Sequence, residues 1–543
     1  MRIVMSAELR SPYPLLSIVR RHTGLLVLPL LFVVVEVHFR SVAGPFWQWN
    51  LLDPAYFYLL DSLNVIAGAP PGHIAHPGIT VDSFGAAVLA LSEMGIGGDE
   101  LVDKVLRDPE LFLMRLSTAY VVFNAAVLLI VGYVAHWVFG AITPAIACQI
   151  APFMSSIILK HGFLPKPEAM VITVTLALLI ASVVALRSTN SLKMAMAFGV
   201  IAGFGLATKI TMAPVFALPL FLLPNIRCML IYAVMSIAAF FIFFLPGIDA
   251  LGDFAGWVVH VAKGSGAHGA GPQTFIDTDY YPKAVVKILK RPALKVPMAL
   301  AVVTLAIAFW RRPRRDIVAN MEVRALFGIL VTQALHVLFV AKQPTAFYLI
   351  PSYMLSAFSV LLSLRLLWQL KPERWQMPVS GSHIGGALLA IFVVAQVATL
   401  QRLEDHFTRH NISAMSITDR TFDRCARIYI YAASSPVFAL FLADRVTGSR
   451  HSQILAKYYG GANYWIEDWF DQSKLEFRNW QGRQDFDTVR QSFPCLVFRG
   501  NRKASLIGFL KSAAPGMSYS TKCSAAPEMI ATVNVACDGG GLK

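Results

Sequence analysis

Glu168-Ala-Met-Val-Ile-Thr-Val-Thr-Leu-Ala-Leu-Leu-Ile-Ala-Ser-Val-Val-Ala-Leu-Arg187 holds no charge between its first and last residues. A helix rises about 1.5 Å per residue and a bilayer's hydrocarbon core is about 30 Å thick, so a run this long and this apolar reads as a membrane span. Ten more stretches read the same way, near 23–39, 115–138, 141–159, 192–208, 211–225, 228–246, 296–311, 324–341, 345–368 and 383–401. The expected fold class is therefore an α-helical polytopic membrane protein with about 11 transmembrane helices. Composition agrees, since 56% of the 543 residues are hydrophobic and only 15% charged, too apolar for a soluble globule. The pair 192–208 and 211–225 is short, which suits a broken or re-entrant element.

A net charge of +15 raises the question of nucleic acid, but the Lys and Arg residues cluster between apolar runs, where topology needs them. No nucleic-acid partner is expected. The first apolar stretch, Gly24 to Phe39, is followed by no clear cleavage site and reads as a signal anchor. With the N-terminus inside, Arg20, Arg21, Arg187, Arg227, Arg311, Arg324, Arg365 and Lys371 all become cytoplasmic. The loop 247–295 departs from this pattern, being outside yet carrying Lys263, Lys283, Lys287, Lys290, Arg291 and Lys295. A basic amphipathic stretch lying on the membrane surface accounts for it.

The same topology places four segments outside: the first loop 40–114, the short loop 160–167, the loop 247–295 and the tail 402–543. Two domains follow, a membrane domain over 1–401 and a small extracytoplasmic α/β domain over 402–543. Its strand candidates are Arg427-Ile-Tyr-Ile-Tyr431 and Pro494-Cys-Leu-Val-Phe498, with a helix start at Ser434-Ser435-Pro436. Cys425, Cys495, Cys523 and Cys537 all lie in this tail, where an outside location permits disulfides and four cysteines allow three full pairings. Cys148 and Cys228 lie in apolar segments.

Polar residues at the edge of a membrane are the candidates for chemistry. Asp53 and Asp61, in Trp47-Gln-Trp-Asn-Leu-Leu-Asp53-Pro-Ala-Tyr-Phe-Tyr-Leu-Leu-Asp61, fall on one face of a helix, and the stretch from Asp53 to Leu63 is too short to span and reads as interfacial. Asp53 suits a general base, or equally a helix cap before Pro54. His73 and His76, in Gly72-His73-Ile-Ala-His76-Pro77-Gly78, are metal-ligand types, but nothing nearby completes a set, which favours a pocket or turn role. Lys166 and Glu168 read as a substrate contact or a surface pair. Lys209 and Lys342 sit in apolar sequence, where a cation must snorkel, pair or meet an anion, and lysine meets phosphate as a point charge. The glycine-dense loop Trp257 to Gly271, with His260 and His268, lacks the spacing of a P-loop. Its glycines allow backbone donors close to an anion, or merely a flexible loop.

Taken in order, these pieces resemble the GT-C superfamily of glycosyltransferases, particularly bacterial relatives of dolichyl-phosphate-mannose protein mannosyltransferases and aminoarabinose transferases. The matching pieces are Asp53-Pro-Ala-Tyr56, His76-Pro-Gly78, Lys166-Pro-Glu168, the glycine-rich helix ending in Lys209, His268-Gly-Ala-Gly271, and Lys342 with Phe347-Tyr348-Leu-Ile-Pro351. They cover most of residues 23–370. The resemblance implies a polyprenyl-phosphate-linked sugar donor, an inverting displacement, and a glycan, lipid or protein acceptor outside a bacterial inner membrane. It implies Asp53 as catalytic base and Lys209 and Lys342 as donor-phosphate contacts, with Asp61, His73, His76, Lys166, Glu168, His260, His268 and Tyr348 as further substrate-binding positions. The family's commoner first loop has two adjacent acids, whereas Pro54 follows Asp53 here, which leaves a divalent metal and the second acid open. A transporter or flippase of a lipid-linked substrate is the competing class. Against it stand the absence of a visible repeat and the gathering of odd polar residues at outer helix ends.

Overall fold

The computed structural model describes residues 14–75, 77–265, 271, 273–274, 276–311, 313, 316, 319–370, 386–387, 390–391, 393–415, 419–461, 463–467, 476–513 and 515–537. Side chains of residues 14–22, 52–54, 419–420 and 513 within that set are not described.

Among the described residues, eight helical stretches are long and apolar enough to cross a membrane. They contain α1 (Pro14–Ala43), α5 (Pro109–Phe139), α8 (Pro167–Ala185), α9 (Ser191–Thr208), α11 (Ile226–Phe244), α14 (Pro292–Arg311), α15 (Met321–Val340) and α16 (Ile350–Gln369). Proline explains why two expected spans are missing, because it lacks the N–H of the helical ladder. The stretch 141–159 breaks into α6 (Ile142–Gln149), a 3₁₀ turn Ala151–Met154 around Pro152, and α7 (Ser156–Gly162). The stretch 211–225 becomes a 3₁₀ segment Ile210–Ala217 containing Pro214 and a short α10 (Leu218–Leu222). Much of 383–401 lies outside the described residues, and the helix that follows, α17 (Val397–Met415), is polar.

α8 and α16 are the most enclosed helices. Along α16, Ser352, Ser356, Ser359 and Ser363 are fully buried, and Gln333 of α15 donates to the Ser352 carbonyl (2.9 Å) and the Ser356 hydroxyl (3.0 Å). α9 and α11 pack closely through Gly199 and Gly203, a small-xxx-small pair. A Cβ on Gly203 would stand 2.5 Å from the Phe240 backbone nitrogen.

The first loop folds into α2 (Leu52–Ile66), α3 (Ile79–Ser92) and α4 (Gly98–Arg107); the later loop holds α12 (Leu251–Lys263) and α13 (Tyr281–Leu289). α2 is enclosed by protein: Tyr56, Tyr58, Leu59, Leu60 and Leu63 are buried, and a tail helix packs against it. α13 does fit a basic amphipathic stretch, burying Ala284 and Ile288 and exposing Lys283 and Lys287.

The tail forms one mixed sheet of six strands, β1 (Ala426–Tyr429), β2 (Tyr464–Glu467), β3 (Glu476–Asn479), β4 (Gly482–Asp485), β5 (Leu496–Gly500) and β6 (Met529–Val533), in the order β4-β3-β2-β1-β5-β6. β1 runs parallel to both β2 and β5. Helices α18 (Pro436–Val446), α19 (Ser452–Tyr459), α20 (Phe486–Ser492) and α21 (Lys503–Ala513) complete it. Ser435 caps α18 by accepting from Phe438 N (3.4 Å), the start expected there. Cys425 pairs with Cys495 and Cys523 with Cys537, which selects one of the three pairings. The tail docks on the first loop through α18 against α2 and through Tyr458, whose hydroxyl donates to Asp103 of α4 (2.6 Å).

Candidate functional site

α9 ends at Thr208, and Lys209 leaves it in an extended conformation that forms an isolated bridge with Pro77 of the first loop. Gly78 donates its N–H to the Thr208 carbonyl (3.2 Å), and the Thr80 and Thr208 hydroxyls are bonded (2.6 Å). Gly78 has φ +80° and lies against the Tyr58 ring, so both backbone conformation and space call for glycine there. The Pro77-Gly78 turn is thus stitched to Thr208 and Lys209, the latter 3% exposed.

From this position Lys209 Nζ bonds Glu168 Oε1 at the start of α8, with both side chains under 5% exposed. Lys166 Nζ lies 3.9 Å from Glu168 Oε2 and is itself buried. The expected surface pair is therefore an interior one. Two ammonium groups face one carboxylate in a desolvated place, where charge is expensive unless matched. Aromatic rings close it. Lys209 Nζ is 4.8 Å from the centre of the Tyr348 ring and 5.2 Å from that of Phe347, and Lys166 Nζ is 5.5 Å from Phe347. His161, at the end of α7, meets Phe347 edge-on at 5.1 Å. Burial first, and Lys166 next, push His161 well below the ordinary imidazole range, so it is neutral at pH 7.

Tyr348 also lines a neighbouring groove of about 540 Å³. Its walls are Trp257 and Val261 of α12, Tyr281 of α13, and Leu335 and Phe339 of α15, with Lys342 beyond the end of that helix. The Lys342 ammonium donates to the Ala262 carbonyl, and the Tyr281 hydroxyl to the Leu338 carbonyl (2.7 Å), which pins the later loop across α15. Exposed Leu338 and Phe339 give the groove an apolar outer lip.

Lys166, Glu168, Lys209, Lys342 and Tyr348 are thus brought together. Asp61, His73 and His260 are not. Asp61 is fully buried with its oxygens taken by Gly72 N (2.7 Å), His73 N (2.9 Å) and Asn64 Nδ2 (2.9 Å), so it anchors a turn rather than facing a ligand. The His73 ring meets Phe57 and Tyr58 edge-on at 5.1 and 5.6 Å. His260 is exposed on the last turn of α12, apart from the groove lining. Asp53 lies in the first turn of α2, whose cap is Leu51 and not Asp53 as expected; its side chain, and all of His76 and His268, lie outside the described residues. No three His, Cys, Asp or Glu side chains gather to hold a metal among the described residues.

Two participants were not singled out from sequence. Phe347 was visible only as a neighbour of Tyr348, and His161 only as a neighbour of Lys166. Neither has a local signal, because what recruits them is contact between α7, α8 and the start of α16. Comparison with protein-family models, with curated proteins and with solved structures gives no match for this chain.

Proposed function

We propose that the protein is a membrane glycosyltransferase of the GT-C kind, taking a sugar from a polyprenyl-phosphate-linked donor to an acceptor outside the membrane. One observation carries the reading: Tyr348 joins an apolar groove of about 540 Å³ to a buried cluster in which Lys209 and Lys166 both face Glu168. A lipid-linked phosphate asks for that combination, since its prenyl chain seeks an apolar wall and its phosphate a cation. In this reading the chain lies between α12 and α15, while Lys209, Lys166 and Lys342 take the developing phosphate charge. Asp53, on the adjoining first loop, is the proposed base.

The disulfides of the tail support an outside location for the face that carries these residues. So do Arg311, Arg324 and Arg365, which hold Leu370 O, Phe221 O and Glu322 at the opposite ends of their helices.

The test is transfer of radiolabelled sugar from a panel of polyprenyl-phosphate sugars by the purified full-length protein in lipid. Activity in the wild type that is lost in Asp53→Asn and in Lys209→Met, with both variants folded, supports the reading. Movement of intact donor across the bilayer without transfer would replace it with a flippase.

A further inference from the structure

A second cationic cluster lies at the seam between membrane domain and tail. Lys160, in the last turn of α7, projects over Phe407 of α17, its Nζ 6.0 Å from the ring centre. On the same helix the His406 and His410 rings stand 4.3 Å apart, and Trp49 of the first loop meets His410 edge-on at 5.0 Å. His410 is 8% exposed, and its Nδ1 is buried with no hydrogen-bond partner among the described residues. Lys160 has no carboxylate within ion-pair distance among them either.

The surroundings deepen the imbalance. α17 adds Arg409, whose Nε donates to its own helix at Asp405 O (3.2 Å). The acid nearest in sequence to these histidines that forms an ion pair, Glu404, is turned to His38 of α1 (3.4 Å), and the Asp405 side chain is exposed. Arg40 of α1 stacks on Phe46 and Phe163, and Gln48 of the first loop donates to Asn411 (2.9 Å), so neither supplies negative charge. Burial first, then His406, Lys160 and Arg409, push His410 down to about 4; burial, Lys160 and Arg409 lower His406. Three basic groups from two helices meet with no carboxylate in ion-pair distance among the described residues, against an aromatic floor. Of the acids on neighbouring elements, buried Glu36 of α1 lies against Gly162, and half-buried Glu110 of α5 is held by Phe46 N, Trp47 N and the Tyr56 hydroxyl.

We propose that Lys160, His406 and His410 form an oxyanion-binding site of the phosphate class, separate from the Lys166–Lys209 cluster. A phosphate supplies the missing charge and several acceptor oxygens, enough for the ammonium and both imidazoles. Its source is either a lipid headgroup at the membrane edge or a soluble or acceptor-borne phosphate. The site does not depend on the sugar-transfer reading, and its test requires no turnover.

The experiment follows the histidine resonances of the full-length, ¹³C,¹⁵N-His-labelled protein in nanodiscs as pH is varied, with inorganic phosphate or with chloride at matched ionic strength. Reciprocal coupling means that phosphate binding about tenfold tighter to the protonated ring raises its midpoint by about one unit. The expected result is a rise of that size for His410 and His406 with phosphate, lost in Lys160→Met and kept in Lys160→Arg. Midpoints that neither added phosphate nor phosphatidylglycerol raises, or that rise equally in a folded Lys160→Met, overturn the site. His410→Gln, read through His406, serves if Lys160→Met does not fold: a persisting full shift of His406 also overturns it. In phosphatidylcholine discs, a shift only on adding phosphate assigns a soluble source; in discs containing phosphatidylglycerol, a shift without added phosphate assigns a headgroup.

Discussion

Asp61 and Glu168 are both buried acids on the face that carries the tail, and they are satisfied in opposite ways. Asp61 takes three neutral donors, two of them backbone N–H groups of the turn at Gly72 and His73. Glu168 faces two ammonium groups, one bonded and one at 3.9 Å. Neutral dipoles can saturate an acid and leave nothing over, so Asp61 clamps a loop. Glu168 instead draws two lysines to one place, the side-chain type that the proposed donor phosphate would meet. Burial marks both residues equally; only the partners separate clamp from site.

The sharpest way to break this contrast is Lys209→Met. Removing one partner of a buried ion pair costs on the order of 3–5 kcal/mol, which thermal unfolding in detergent should register. Donor use should fall at least about 100-fold, the scale of losing one positioned charge at a developing anion. Adding Glu168→Gln should return little of the stability, because buried Lys166 then loses the carboxylate 3.9 Å from it, and none of the transfer. A double variant that transfers normally would reduce the cluster to a structural pair.

Asp61 yields a prediction of its own, in pH. Burial pushes its carboxyl up to about 6 despite the three donors. A group raised in the folded state contributes stability that is full below its unfolded value near pH 4 and is lost as pH rises through about 6. That contribution amounts to about 3 kcal/mol. Unfolding free energies measured at pH 4 and pH 7 should therefore differ by about that much less in Asp61→Asn than in the wild type. Transfer by the folded fraction of the variant should stay within about threefold, the ordinary reach of an indirect change. A loss as deep as that of Lys209→Met would move Asp61 into the site.

Sequence reading reached the elements that depend on local pattern. The run from Glu168 to Arg187 became α8, the Arg427–Tyr431 run became β1, and Ser435 before Pro436 capped α18. The excess spans were also legible in principle, since Pro152, Pro214 and Pro219 interrupt the two stretches that fail to form a continuous helix. Burial of α2 was not, because what covers it is a tail helix encoded nearly 400 residues later. The same holds at the site. Lys166, Glu168, Lys209 and Tyr348 each looked odd alone, but their meeting depends on α8, α9 and α16 converging at one end of the bundle. Disulfide connectivity likewise followed from β1 lying beside β5, which brings Cys425 to Cys495.

The smallest predicted effect bears on where the groove ends and the charge begins. Tyr348→Leu keeps an apolar wall but removes the ring whose centre is 4.8 Å from Lys209 Nζ. A partly desolvated cation–π contact is worth about 1 kcal/mol, so the affinity for donor should weaken about fivefold. Because the ring touches the groove and the cation before any bond breaks, it should act alike on ground and transition states. The change should therefore appear in KM, with kcat held. Glu168 and Lys209 remain paired in this variant, so its melting temperature should move far less than that of Lys209→Met. A fall in kcat at unchanged KM would mean that Tyr348 acts on the reacting atoms themselves, and the boundary between groove and site would have to be drawn on its other side.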